Sequence, residues 1–383
     1  MRFDVLARSG LARFGRLVTP HGEIATPAFM PVGTAGTVKA LHPNEVSDTG
    51  ARLLIANTYH LWLRPGAELI AEQGGLHAFM RWPHAIATDS GGFQAFSLAQ
   101  RVKVSEDGFD FASHLDGSRR KLTPEESMRV QGLLGSDIAL QLDICPPAGV
   151  PRSDLVLAVE RTTRWAERCL SARKPGQALF GIVQGGTDVD LRCQHAEALA
   201  RLPLDGLALG GFSVGEPPES MYQALERVVP GMDQGRPRYL MGVGTPRDLV
   251  RAIAVGVDLF DCVMPTRNAR NGQAFVRGGR LTLKNARFRA DSRPLDESCS
   301  CPVCSQGFSR AYLRHLFVAG EILAHRLLSL HNLHHYASLM ASARKAISEG
   351  QLERWVHDMS SLSTAERENG DAVEVLEGEL PRA

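Results

Sequence analysis

Eight times along this chain a short apolar run rich in strand formers stops at a polar or glycine-rich turn and gives way to a longer helix-like stretch. The runs are Ala28 to Val32, Leu53 to Ala56, Ala85 to Thr88, Ile138 to Leu142, Leu179 to Val183, Gly206 to Leu209, Tyr239 to Val243 and Val257 to Phe260. Alternation of this kind is what parallel βα units produce, and eight is the number that closes a barrel. A flat doubly wound sheet also alternates, but its first strand normally runs into a phosphate-binding glycine fingerprint, and none follows Ala28 to Val32. The expected fold class is therefore α/β: a (β/α)8 TIM barrel built from one 1–383 unit, with a metal-binding subdomain inserted near the C-terminus at about 281–335. Helix starts are legible, as at Thr123-Pro124-Glu125-Glu126, where a capping hydroxyl precedes proline and two acids. Tyr336 to Glu353 reads as a last helix, and 360–383 as a polar, acid-rich flexible tail.

Composition narrows the setting. Hydrophobic residues are 44% and charged residues 22%, with no run long enough to span a bilayer, and Met1 to Gly10 lacks the basic-then-apolar pattern of a signal peptide. A cytoplasmic enzyme without membrane attachment is expected. The formal net charge of +1 means that a nucleic-acid partner must be held by a local basic patch. Seven cysteines, an odd number, argue against a disulfide framework.

Active-site groups of such a barrel sit where its strands end, because only that face is built from the βα loops. Here those ends are unusually polar. The third run enters Thr88-Asp89-Ser90-Gly91-Gly92-Phe93-Gln94, the fourth ends at Asp143, the fifth at Gln184-Gly185-Gly186, the sixth at Gly210-Gly211 and the eighth at Asp261. Any one aspartate alone reads as a turn former or helix cap. Three carboxylates, an amide and a glycine backbone converging on one mouth suit chemistry at an anomeric carbon: one carboxylate as nucleophile, another handling protons on the leaving group. An amide and a further carboxylate could read the edge of a base, and Phe93 could stack on its face.

Two other constellations stand out. Cys299, Cys301 and Cys304, followed by His331, supply three thiolates and an imidazole, a closed tetrahedral zinc shell of the structural kind, although His325, His334 and His335 lie close by in sequence. Cys145, Cys169, Cys193 and Cys262 have no such spacing and read as packing residues. Between Met264 and Arg293 there are eight basic residues and one acid, a candidate phosphate-binding segment that begins beside Asp261.

With these motifs in order, the chain resembles the bacterial-type tRNA-guanine transglycosylase family, the queuine/preQ1 tRNA-ribosyltransferases. The matching segments are Thr88 to Gln94, Phe180 to Gly186, Tyr239 to Gly244, Phe260-Asp261-Cys262-Val263-Met264-Pro265-Thr266-Arg267 and the Cys299/Cys301/Cys304/His331 set, and the similarity runs from about Phe3 to Arg344. The resemblance implies exchange of guanine at wobble position 34 of tRNAs with a GUN anticodon for preQ1, or for queuine as runner-up, through a covalent aspartyl-ribosyl intermediate. Asp261 would be the nucleophile and Asp89 the general acid/base. Asp143, Gln184 and the Gly211 backbone would read the base edge, Phe93 and Met241 would sandwich the ring, and Ser90, Gly91, Gly92, Gly210, Phe212 and Val214 would complete the pocket. Gly242-Val243-Gly244-Thr245-Pro246-Arg247-Asp248 and Thr266-Arg267-Asn268-Ala269-Arg270 would contact RNA. One structural Zn2+ per chain and a homodimer are also implied.

This sequence departs from the family pattern in places: Phe93 stands where tyrosine is frequent, and Asp143-Ile144-Cys145 replaces the Asp-Glu-Cys common in bacterial members. Valine at Val214 should block the bulkier queuine, since glycine occupies that position in eukaryotic members that accept it. Read from residues alone, three alternatives compete. A carboxylate-pair glycoside hydrolase should show aromatic sugar platforms, yet aromatics are only 6%. A zinc nucleobase deaminase finds His-x-Glu elements at His21-Gly22-Glu23 and His195-Ala196-Glu197 but the wrong cysteine pattern. A non-catalytic RNA-binding protein leaves the converging aspartates unexplained.

Overall fold

A computed structural model describes residues 1–98 and 100–359, so the tail expected at 360–383 lies outside the described residues. The eight apolar runs become nine parallel strands of one sheet, because the first run is divided at Pro31. Ala28–Met30 pairs with the last strand, Leu259–Asp261, while Val32–Gly33 pairs with Leu53–Ala56. Proline has no N–H to donate, so the chain changes neighbours there, and the Pro31 carbonyl still accepts from Ile55 N at 3.1 Å. That switch brings the two edges of the sheet onto one short segment and rounds it into a barrel.

The remaining strands follow in chain order: Ala85–Thr88, Ile138–Leu140, Ala178–Val183, Gly206–Leu209 and Arg238–Leu240. Three are shifted or shortened relative to the apolar runs. Gln141 and Leu142 lie beyond the fourth strand, Met241 to Val243 beyond the seventh, and the eighth starts at Leu259 and takes in Asp261. Hydrophobicity continues past the ladder because the departing residues still pack against buried neighbours.

The barrel interior is a packed core of alternate residues from every strand, including Met30, Ile55, Ala87, Leu140, Phe180, Ile182, Ala208, Tyr239 and Leu259. Gly206 shows how tight it is: a Cβ there would lie 2.5 Å from the Phe180 ring. Helices cover the outside, each placed by its own signals. Thr123 caps Pro124–Leu134 by accepting from Glu126 N at 3.1 Å, as its sequence predicts. Thr245 and Asp248 form a reciprocal capping box on Pro246–Ala254, which buries Leu249, Val250, Ala252 and Ile253. Below the barrel, where its strands begin, a three-stranded antiparallel sheet of Arg2–Ser9, Ala12–Thr19 and Gly22–Thr26 closes the floor. A second small sheet, Gln100–Val104, Phe109–Ala112 and Arg119–Leu122, rises after the third barrel strand.

The last helix differs from the sequence expectation. It runs from Ile322 to Ser348, so it begins well before Tyr336, and residues 352–359 form a separate helical segment. Its first half packs Ala324, Leu327, Leu328 and Leu333 into the cluster holding Cys301, Val303 and Leu313, while its second half packs Tyr336, Met340 and Ala343 against the barrel. One helix thus fastens the metal-site segment to the barrel. No helix among the described residues is long and apolar enough to cross a membrane.

Candidate active site and metal centre

The strand ends deliver their polar residues to one mouth. Asp261 is the last residue of the eighth strand. The buried Tyr239 hydroxyl donates to its Oδ1 at 2.6 Å and Gly242 N–H to the same oxygen at 2.8 Å, whereas Oδ2 takes no hydrogen bond from the described residues. Burial pushes the Asp261 carboxyl above its usual value, against these two bonds.

Asp89, just past the third strand, is held at the start of helix Thr58–Leu63: Thr58 N–H donates to Oδ1 at 2.8 Å and Asn57 Nδ2 to Oδ2 at 2.5 Å. Burial, then the nearby charges of Asp261 and Asp143, push Asp89 up to about 7, in spite of the donors around it. Those two influences place the three carboxylates in one electrostatic neighbourhood. Asp143 is nearly enclosed, accepts from Gln184 Nε2 at 2.7 Å and from Ser90 Oγ at 3.4 Å, and is pushed by burial up to about 6.

Glycines make room for the amide. A Cβ on Gly210 would lie 2.7 Å from Gln184 Nε2, and one on Gly211, whose φ is +68°, would lie 2.4 Å from Gln184 Oε1. That Oε1 is buried and has no hydrogen-bond partner among the described residues. Ser90 Oγ accepts Gly92 N–H at 3.2 Å, and Gly91 with φ +78° starts the short helix Gly92–Ser97 that carries Phe93, half of whose ring surface is exposed. Phe93 and Asp143 line one cavity with Ile144, Pro146 and Leu157, while Met241 leans on the barrel interior. Phe212 is buried and Val214 half-buried on the turn after the sixth strand, where the Glu216 carboxylate accepts from Ser213 and Val214 N–H groups.

Sequence reasoning missed Arg192. From helix Val189–Ala200 its fully buried guanidinium donates to the carbonyls of Gly186 (2.5 Å), Gly210 (2.9 Å), Gly211 (3.2 Å) and Val183 (3.3 Å) and lies 3.7 Å from the Phe212 ring centroid. It ties together the Gly185-Gly186 and Gly210-Gly211 turns. Burial pushes Arg192 down to about 9. The available signal was its position on the apolar face shared with Leu191, His195, Ala196 and Leu199.

The segments expected to contact RNA divide by exposure. Gly242 and Arg247 are exposed, but Val243 and Gly244 are buried, and Asp248 spends its carboxylate on the Thr245 cap and the Tyr222 hydroxyl. Within 266–270, Thr266, Asn268 and Ala269 face the core, Arg267 is exposed, and Arg270 is half-buried, with its Nη1 enclosed and without a hydrogen-bond partner among the described residues. Lys39 joins them from the loop after the first strand: burial, then the charge of Arg270, lowers its pKa.

The four metal-type ligands also converge. His331 Nδ1 lies 3.8 Å from Cys299 Sγ and 3.4 Å from the Sγ atoms of Cys301 and Cys304. Around a tetrahedral zinc with Zn–S of about 2.3 Å and Zn–N of about 2.0 Å, such atoms stand about 3.5 Å apart. The other ring nitrogen, Nε2, is 2.7 Å from the Phe275 carbonyl, the outer bond that fixes the tautomer with Nδ1 free for a metal. The neighbouring histidines point elsewhere: His334 to Ser300, His325 against Phe317 and His335 against Phe275. The deaminase elements are scattered, with His21 beside Asp137 on the barrel floor and His195 bonded to the Gln184 backbone.

The sequence matches the family model for queuine tRNA-ribosyltransferase over residues 8–364. The chain belongs to that family. It is 64% identical to the queuine tRNA-ribosyltransferase of Sorangium cellulosum over 91% of this chain and 89% of the relative. The Syntrophobacter fumaroxidans enzyme is 54% identical over 93% and 96%, and the Thermus thermophilus one 55% identical over 91% of each. Family membership over nearly the whole length removes the glycoside hydrolase, deaminase and simple RNA-binding alternatives.

Proposed function

We propose that this chain is a pentosyltransferase of queuosine biosynthesis that replaces guanine at position 34 of GUN-anticodon tRNAs with preQ1, queuine being the runner-up base. The observation that carries the reading is the pairing of Asp261, whose two hydrogen bonds both fall on Oδ1, with Asp89, which is pushed up to about 7. In the first half, Asp261 Oδ2 attacks C1′; the C1′–N9 bond breaks with its electron pair going to guanine, and Asp89 gives that base a proton. In the second, Asp89 accepts a proton from the incoming base, whose nitrogen attacks C1′ and expels Asp261. A pKa near neutrality suits a group that must both donate and accept.

Asp143, the unpartnered Gln184 Oε1 and the Gly211 backbone would read the base edge, with Phe93 and Met241 on its faces. A wobble base is already poorly stacked in its loop, so extruding it costs little. Lys39, Arg267 and Arg270 would hold phosphates beside it. Cys299, Cys301, Cys304 and His331 would bind one Zn2+ per chain, which supplies a structural crosslink between the short helix Pro302–Ser305, strand Gln273–Val276 and the long helix, away from the reacting atoms. Exposed Tyr312, Val318 and Ile322 on the metal subdomain support a homodimer, and the cytoplasm is where such a tRNA-modifying enzyme would work. Incubating the protein and preQ1 with tRNA labelled in guanine-34 tests the reading. Release of labelled guanine with the strand intact is the expected result, and strand cleavage or no release would overturn it.

A further inference from the structure

Arg192 reaches the catalytic end of the barrel from helix Val189–Ala200 and is completely buried. Its donors meet backbone oxygens: Nε that of Gly186, Nη1 that of Val183, and Nη2 those of Gly210 at 2.9 Å and Gly211 at 3.2 Å. Among the described residues no carboxylate comes into ion-pair contact with it, although a buried cation without one is costly. Pushed down by burial to about 9, it still carries its charge at neutral pH. The approach is close enough to demand glycine on the carbonyl side. A Cβ on Gly185 would lie 2.9 Å from Arg192 Cγ, and one on Gly211 would lie 3.3 Å from Nη2.

What the guanidinium holds is the polarity of a peptide group. In a trans peptide the carbonyl and the N–H point in opposite directions, so a Gly210 carbonyl turned toward Arg192 turns the Gly211 N–H away from it. Burial pushes the Cys145 thiol up to about 12 while the Gly211 N–H acts on it in the opposite sense, which sets that N–H on the Cys145 side. Cys145 lines the same cavity as Phe93 and Asp143. Side-chain bulk does not defend this orientation, because both residues flanking the peptide are glycine and Gly211 already has a φ of +68°. The cation does. After a flip the N–H would face the guanidinium, donor against donor, and buried groups would lose their partners.

We propose that Arg192 is a positioning residue that fixes the Gly210-Gly211 peptide with its N–H toward the base, so that the pocket selects a base presenting a carbonyl oxygen there. The inference rests on the proposed base exchange, in which Asp143 and Gly211 share the edge of the base. An ionised carboxylate can only accept, so Asp143 takes the ring N–H and the amino group of guanine, and the remaining oxygen falls to a donor. Arg192 supplies that donor's direction from behind without touching the base. The Phe212 ring, its centroid 3.7 Å from the guanidinium, covers the fork.

Binding of free bases to the full-length protein, read by displacement calorimetry, tests this apart from turnover. Missing guanine release in the tRNA experiment would remove the activity, whereas the affinity ratios bear on Arg192. 6-Thioguanine keeps the donors of guanine and replaces its oxygen with sulfur, a poorer acceptor; hypoxanthine keeps the oxygen and lacks the amino group. Wild type should bind both more weakly than guanine. Arg192→Met should weaken guanine by about tenfold and erase most of its advantage over 6-thioguanine, while its advantage over hypoxanthine stays at the wild-type value. Arg192→Lys keeps the charge and part of the hydrogen bonding, so it should fall between the two, and it carries the test if Arg192→Met does not fold. A guanine-to-thioguanine ratio in Arg192→Lys equal to that of wild type would overturn the proposal. Equal shifts in both ratios would also overturn it, since they would mean a pocket merely loosened.

Discussion

The two ends of the eighth strand treat their buried aspartates in opposite ways. On the floor, Asp258 precedes the eighth strand and is clamped by the buried guanidinium of Arg13, with Arg238 N–H adding a third bond at 2.7 Å. At the mouth, Asp261 ends that same strand three residues later with only a tyrosine and a backbone N–H on one oxygen. Asp89 and Asp143 likewise meet amides and hydroxyls rather than cations. Burial raises both Asp258 and Asp261, so a shifted pKa does not separate the two ends. The partner does. A carboxylate with an opposite charge is committed to stability, whereas one left with neutral donors keeps lone pairs and proton affinity available for a substrate.

That contrast can be broken by exchanging what each end loses. Asp261→Asn should lower base exchange by on the order of 10⁴-fold or more while leaving tRNA binding and the denaturation midpoint close to wild type. Asp258→Asn should do the reverse: it leaves Arg13 buried and unpaired, which costs about 3–5 kcal/mol in denaturant unfolding, while activity per folded molecule holds. If the floor variant lost turnover and the mouth variant lost stability, the division would fail.

Proton chemistry sharpens the comparison. Under the proposed roles, expulsion of guanine needs protonated Asp89, which is the form present below about pH 7. Single-turnover adduct formation should therefore decline about tenfold per pH unit above neutrality, while attack by the second base should decline on the acid side. Asp89→Asn should flatten both limbs, and a profile that kept its shape in that variant would remove Asp89 from the proton path. The smallest effect concerns the pocket wall. Val214→Gly should improve kcat/KM for queuine relative to preQ1 by roughly 10- to 200-fold, the range available to a steric fit; an unchanged ratio would discard the side-chain argument.

Much of this was legible in the sequence because it is carried by period and punctuation. The barrel runs and the capping signal at Thr123 are local, and the polar strand ends stand out against apolar runs. Pro31 lies inside a single apolar run, and only pairing shows that the chain passes there from one edge of the sheet to the other. The strands Gln100–Val104 and Arg119–Leu122 were illegible because charged and polar residues fill most of their positions and leave too few apolar ones to declare a strand. Arg192 looked like surface, since an arginine's usual place is solvent, and its role depends on four carbonyls contributed by separate turns. His331 could be separated from its neighbours only by the phase of a helix that begins at Ile322.

The central claim, that the unpaired carboxylate ending the eighth strand forms the bond to ribose, is tested most directly by mapping the adduct. Wild type and Asp261→Asn would each be mixed with tRNA, denatured, digested with nuclease and protease, and the ribose-bearing peptide sequenced by mass spectrometry. The account predicts one modified peptide in wild type, with the mass increment on Asp261 and nothing in the variant. An increment on Asp89, or an adduct that survives in Asp261→Asn, would contradict it.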